Sequence, residues 1–540
     1  MMELMFLLQS ITLIASVHAI DCDEIDPFQL PIRDVQVVSD IPDSFMKGIA
    51  ATIGTPPQDI VLLPWPDLNN SWIYDQQAYC DSTIIWNDVI CQVRRGNYYE
   101  EGNSSTWAKV EDITVAGGAG TETQSQGEEL GVSKLISTSL GGTDQFAFNS
   151  IKTLASFPVG VPRLDWDHGY TMLHAMGMGT NSTVLNALLQ TGQIGSRVWS
   201  IFWGRMWVDD GSAMDGSIVF GGYDQQKTIG KNYTQALDFN EHTGCWTGMK
   251  VHISKIQLNF RNGDDQNLLP LNTEIDVCIV PQRQLLLEGP QSIVDTFEEA
   301  TDMQNNGRSF GLHWSAFLYD ALDAFDGDMT ISLSTGLDIR VPNSQYLVPY
   351  VDIDRNGSRI FNTSERELLI SAVSDTSATL GRYFLTAAYL MVDLDANTFT
   401  LWQANPTSDS KLVSRTTESE CGNKTSSSSD VLPSSHSQAP QVASGLSKGS
   451  IAGIVVGVVA GLAILGLGIL FYIRRARNNQ TVTGPPDVAD GAIQFSELPV
   501  MENTKPMYSL VHELRGSPAA VSEVSGQAHY TYEMDGNTRN

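Results

Sequence analysis

The sequence predicts a mostly β ectodomain carried on one transmembrane helix. Three observations predict it: short β-type runs between about 45 and 405 broken by Gly, Asn and Asp turns, two long apolar runs toward the chain ends, and enough apolar residues between them to build cores. Of 540 residues, 42% are apolar and 17% charged, which excludes a wholly disordered chain and leaves room for two or three domains. The 62 acids outnumber the 32 Lys plus Arg by 30. A surface of that sign repels phosphate backbones, so nucleic acid is not an expected partner.

Taken in order, residues 1–19 (MMELMFLLQSITLIASVHA) hold an apolar stretch and end in the small-residue cleavage pattern Val17-His18-Ala19, which reads as a signal peptide. An acidic N-terminal segment, 20–44, follows. The β-type runs are IAATIG, DIVLLPW, SWIYD, GSIVFGGY, MKVHISKIQL, MTISL, AAYLMVDL and TFTLWQA, with short helices expected at Ser182 to Gln190 and Ser292 to Met303. From 406 to 450 the composition shifts to Ser, Thr and Pro, too poor in apolar residues for a core; it reads as an extended, O-glycosylated stalk. Residues 451–473 run without a charge or a proline and at about 1.5 Å per residue span about 34 Å, enough to cross a bilayer. Arg474, Arg475 and Arg477 follow directly, against Lys448 alone upstream, so the tail 474–540 is expected in the cytoplasm and the ectodomain outside. The expected location is the plasma membrane or another secretory-pathway membrane, and the tail reads as disordered. Gly453, Gly457 and Gly461 share one helix face and would permit a helix-mediated homodimer.

All six cysteines (Cys22, Cys80, Cys91, Cys245, Cys278, Cys421) fall outside by this topology, where disulfides form. Cys80 with Cys91 is the nearest local pair, and Cys245 with Cys278 a second candidate. No ligand spacing points to a metal, and no cofactor is expected. Sequons at Asn69, Asn103, Asn181, Asn232, Asn356, Asn362 and Asn423 are candidate glycosylation sites; Asn479 also fits but falls on the cytoplasmic side. The negative charge is concentrated between 20 and 405, with 49 acids against 22 bases, rather than in the tail.

Ile53-Gly54-Thr55-Pro56-Pro57-Gln58 resembles the first active-site approach of the pepsin-like aspartic proteases. Further elements follow in that family's order: Ala175-Met176-Gly177-Met178-Gly179, the stretch 188–204, the hairpin GSIVFGGYD at 216–224, CWTGMKVHISKIQL at 245–258, and Thr379 to Leu385 with the closing AAYLMVDLDANTFTLWQA. The resemblance covers 45–405 and implies a bilobal β fold, with an N-lobe at about 45–238, a C-lobe at about 239–405 and a cleft between them.

The resemblance also implies two carboxylates, one per lobe, that share a proton: one activates a water, the other polarises the scissile carbonyl, and like charges about 3 Å apart cannot both ionise. Counting forward from the approach motif puts Trp65 in the first acid's place, and Trp72-Ile73 fits the family's pattern beyond it. Counting back from Leu286-Leu287-Glu288-Gly289-Pro290 puts Pro281 in the second and Arg283 where a glycine belongs. Asp67 is a weak substitute, since neither Pro66 nor Leu68 supplies the glycine that lets the backbone turn under a carboxylate. Asp295, in Ile293-Val294-Asp295-Thr296, falls in an expected helix. Both carboxylates are expected to be solvated surface groups. Residues 112–131, in the place of the substrate flap, lack an aromatic, and 20–46 carries seven acids against Arg33, unlike a basic inhibitory pro-segment. A glycan on Asn69, four residues from Trp65, would crowd the cleft mouth.

Three functions follow as expectations: a catalytically inactive homologue whose cleft binds a peptide or glycan, an active aspartic endopeptidase with unorthodox site residues, or a structural surface glycoprotein. Core packing is the expected role of Trp65, with a ligand platform the alternative.

Overall fold

A computed structural model of the protein describes residues 25–76, 80, 87–120, 139–163, 173–206, 213–240, 242–373 and 377–415. These belong to one compact unit, Met1–Ser427; the second, Ser428–Asn540, lies outside the described residues. So do the signal peptide, the apolar run 451–473 with its glycines, the tail, the stalk beyond 415, Cys22, Cys421, Asn423 and Asn479. Among the described residues, no helix is long and apolar enough to cross a membrane.

The expected β runs become strands because their apolar positions find two-sided burial. Gln58–Trp65 is buried at every position from Ile60 on, as is Val198–Arg205 up to Arg205 itself. A 13-stranded sheet places Phe45–Ile53 against Gln58–Trp65, then His174–Gly177, Ser71–Trp72 and Thr153–Val161. Its opposite wing runs through Met214–Phe220 and Val198–Arg205 to Ala388–Asp393 and Thr398–Ala404, the last hairpin of the domain. An eight-stranded sheet in the C-terminal half joins Lys250–Asn259, Ile275–Ile279, Ala378–Leu380 and Leu287–Gly289, and a four-stranded sheet includes Arg359–Leu368 and Leu347–Ile353. Most of the buried apolar residues of these sheets form one continuous core.

Both expected helices are present, as Thr183–Gln190 and Gln291–Thr301. Two features differ from the sequence expectation. Phe28–Gln36, within the segment set apart as 20–44, is a strand between Phe45–Ile53 and Met214–Phe220, and Leu412–Ser414, in the expected stalk, pairs with Gly222–Asp224. Leu30, Ile32 and Val37 bury their side chains there, so the folded body begins earlier and ends later than composition suggests. A third helix, Asp88–Arg95, is held by Cys80–Cys91, with 5.8 Å between their Cα atoms. Cys245–Cys278 is the second disulfide, at 6.1 Å.

Candidate functional site

In each half, a buried strand runs into a loop through which a glycine-bearing segment passes. Gln58–Trp65 pairs in parallel with His174–Gly177, Trp65 opposite Gly177. A Cβ on Gly177 would lie 2.3 Å from the Asn70 carbonyl oxygen, so only glycine fits this crossing. In the C-terminal half, Ile275–Ile279 pairs in parallel with Ala378–Leu380, and a Cβ on Gly381 would lie 2.2 Å from the Leu285 carbonyl oxygen. The loop ends are tied down: Met178 N–H donates to Trp65 O at 2.9 Å and Val280 N–H to Leu380 O at 2.8 Å. The strand-and-loop unit thus occurs twice, once in each half.

Trp65 stands at the end of the first strand with no solvent exposure, packed in the main core. Pro64, Pro66 and Pro281 are buried beside it in sequence and across the repeat. A carbon-lined indole and a pyrrolidine ring offer neither a base nor an acid at the two positions where proton sharing would occur.

Asp67 corrects the expectation of a solvated carboxylate. It is 1% exposed, and its Oδ1 accepts a hydrogen bond from Gln282 Nε2 at 3.0 Å, a bond 215 residues long in sequence. Asp67 follows Trp65 by two and Gln282 follows Pro281 by one, so this bond ties the two loops together. Asp295 is exposed on the Gln291–Thr301 helix, where it accepts from Gln291 Nε2 at 2.8 Å, as expected of a surface carboxylate. Arg283 lies 3.8 Å from Glu288 Oε2, and Thr379 Oγ1 donates to the same oxygen at 2.7 Å.

The expected flap region opens as bends and turns at 111–117. Asn70 fixes it: its Oδ1 accepts from Ala119 N at 2.8 Å and its Nδ2 donates to Ala119 O at 3.1 Å. Residues 121–131 of that region lie outside the described residues.

Asn69 corrects a second expectation. It is 2% exposed, with its Oδ1 accepting from Asn181 N at 2.9 Å, so the folded loop leaves no space for a glycan on it. Asn103, Asn181, Asn232 and Asn356 are exposed, and Asn362 is half-buried with its Nδ2 donating to Glu365 at 2.6 Å.

Beneath the first loop, His174 is fully buried and its Nδ1 accepts from Tyr74 N–H at 3.0 Å. Burial, with the neighbouring Arg95 guanidinium, lowers its pKa from 6.5 to about 3. Sequence reasoning missed Gln282, Asn70 and His174.

A mostly β body with two repeated strand-and-loop units, linked at the loops, defines a pepsin-like fold. The eukaryotic aspartyl protease family model matches residues 48–404, and the chain belongs to that family. It is similar to Secreted aspartic protease 8 of Candida albicans, 22% identical over 369 residues, 67% of this chain and 76% of the relative. Candidapepsin-3 of Candida albicans (strain WO-1) is 21% identical over 395 residues, 72% and 85% of the respective chains. A probable aspartic-type endopeptidase OPSB of Arthroderma benhamiae is 26% identical over 222 residues, 40% of each chain.

Proposed function

We propose that this protein is a catalytically inactive member of the aspartyl protease family, anchored in a membrane by residues 451–473 and retained for binding a peptide or glycan. The observation that carries the reading is the Asp67–Gln282 bond between loops whose acid positions hold Trp65 and Pro281. The family's chemistry needs one carboxylate as base and a second, protonated, as acid. Asp67 faces an amide in place of that second carboxyl, and a single carboxylate cannot do both jobs at once. The acid of the first loop has become part of a cross-link.

The test is proteolysis by the purified chain over an acidic to neutral pH range on denatured protein substrates. Cleavage no greater than that of a heat-inactivated control is expected, unchanged by pepstatin or by Asp67→Asn. Pepstatin-sensitive cleavage that disappears in Asp67→Asn would establish an active endopeptidase instead. Peptide and glycan arrays probed with the same chain then separate a binding role, with selective signal, from a purely structural one, with none.

A further inference from the structure

Beside the Gly381 crossing, where Arg382 N–H donates to Arg283 O at 2.9 Å, three cations converge on one small cavity. The chain between 20 and 405 has 22 bases against 49 acids, so such a gathering runs against its overall charge. Lys47, Arg359 and Arg382 line a cavity of about 40 Å³ together with His313, Tyr383 and Trp203. A water needs roughly 10–15 Å³ of such space, so the cavity would hold a few waters or one small ion with its first contacts.

Two of these cations are answered poorly by the protein itself. Arg359 is satisfied: its two terminal nitrogens donate to the two Asp34 carboxylate oxygens at 2.7 Å each. Arg382 is 9% exposed, and among the described residues no carboxylate or carbonyl accepts a hydrogen bond from its guanidinium. Its guanidinium lies over the face of Trp203, 5.4 Å from the ring centroid, and near Tyr383. Lys47 Nζ makes one long hydrogen bond, 3.4 Å, to Met214 O. A guanidinium stays charged at any physiological pH. Buried cations without an acceptor are costly, and native proteins pair them.

The other polar groups at the cavity are already engaged. His313 bridges Glu367, through Nδ1, and the Tyr383 hydroxyl, 2.6 Å from Nε2, and Ser309 Oγ donates to the other Glu367 oxygen. Glu367 is therefore engaged by His313 and Ser309, and among the described residues it accepts no hydrogen bond from Arg382. A larger pocket shares Lys47 and Met206 with this cavity and carries Arg33, Arg205, Asp34 and Asp215. Its lining carries three cations, Arg33, Lys47 and Arg205, against the two acids Asp34 and Asp215. Burial lowers Lys47 to about 8, and Asp34 and Asp215 oppose the shift, so the amine is charged below that pH.

We infer that the cavity between Arg382 and Lys47 is a binding site for one small monovalent anion, chloride or a carboxylate group, which completes the charge balance of the fold. Arg382 would supply the directed N–H donors and Lys47 the second positive contact, while Trp203 walls the site from the core. The site is separate from the peptide- or glycan-binding role proposed above.

The test uses the purified full chain exchanged into sodium gluconate and titrated with sodium chloride or sodium acetate at constant ionic strength. Thermal stability and chloride-35 NMR line broadening are followed. A saturable rise in melting temperature with chloride, acetate or both is expected, since a ligand that binds only the folded state stabilises it by mass action. Chloride alone identifies a halide-sized site, and acetate as well a site that takes carboxylates. Arg382→Gln should weaken the affinity at least tenfold, and Lys47→Met should do so independently if Arg382→Gln does not fold. Equal melting temperatures in all three salts with no line broadening, or an unchanged response in both variants, would overturn the site.

Discussion

His174 sets a residue-scale limit on how this protein behaves in acid. In the folded state it stays neutral down to about pH 3, because burial and Arg95 disfavour the imidazolium, whereas in the unfolded chain it protonates near 6.5. Between those values the unfolded state binds one proton more, so stability falls as pH falls from about 6.5, and the loss is complete below about 3. The cost is on the order of a few kcal/mol. Melting temperatures of the wild type should therefore drop more steeply between pH 7 and pH 4 than those of His174→Gln, even if the variant starts lower; parallel curves would sink the argument. Trp65 was legible at this scale because recognisable residues flank it on both sides, and Pro281 because it counts back from Leu286-Leu287-Glu288-Gly289-Pro290. The burial of Asp67 was not, because the partner that explains it, Gln282, lies in the other half of the chain.

At the scale of elements, the glycine crossings fix the site more firmly than any side chain in it. Gly177 meets the backbone of Asn69 and Asn70, with an added Cβ within 2.6 Å of three of their atoms, and backbone cannot step aside as a flexible side chain can. Gly177→Ala should cost about 1–3 kcal/mol or more by overpacking. Gly102, where a Cβ would meet nothing within 4 Å, is the control, and Gly102→Ala should stay within about 0.5 kcal/mol. Urea denaturation of both variants checks this, and equal midpoints would refute the role given to the crossing. Strands were legible here because alternation and apolar runs mark them. The Asp88–Arg95 helix was missed although its signals are present: Asn87 caps it, accepting from Val89 N at 2.7 Å, Asp88 opens the first turn, Arg94 and Arg95 close the last, and Gly96 follows at φ 79°. Its two buried arginines hid it, since they break the apolar stripe by which a short helix is normally read; Arg94 donates to Gly311 O at 2.6 Å in the other half of the molecule.

For the whole molecule, the sequence order of the two halves conceals how they are joined. The last hairpin, 388–404, belongs by sequence to the C-terminal half, yet Ala388–Asp393 pairs with Val198–Arg205, Leu390 opposite Ile201, and Thr398–Ala404 pairs with Thr228–Ala236. Val198 and Phe202 share a separate buried cluster with Tyr389, Met391 and Trp402, so neither half closes its own core. A fragment of residues 25–240 would leave the Val198–Arg205 strand as a long apolar edge, the kind of surface that recruits another chain. That fragment should aggregate, or lack the near-ultraviolet dichroism of a packed aromatic core, while the intact chain should melt in one transition with equal calorimetric and van't Hoff enthalpies. Two resolved transitions in the intact chain, or a monomeric and cooperatively folded 25–240, would show that the halves are independent. The site loops, one from each half, would then be held together by the Asp67–Gln282 contact rather than by a shared sheet.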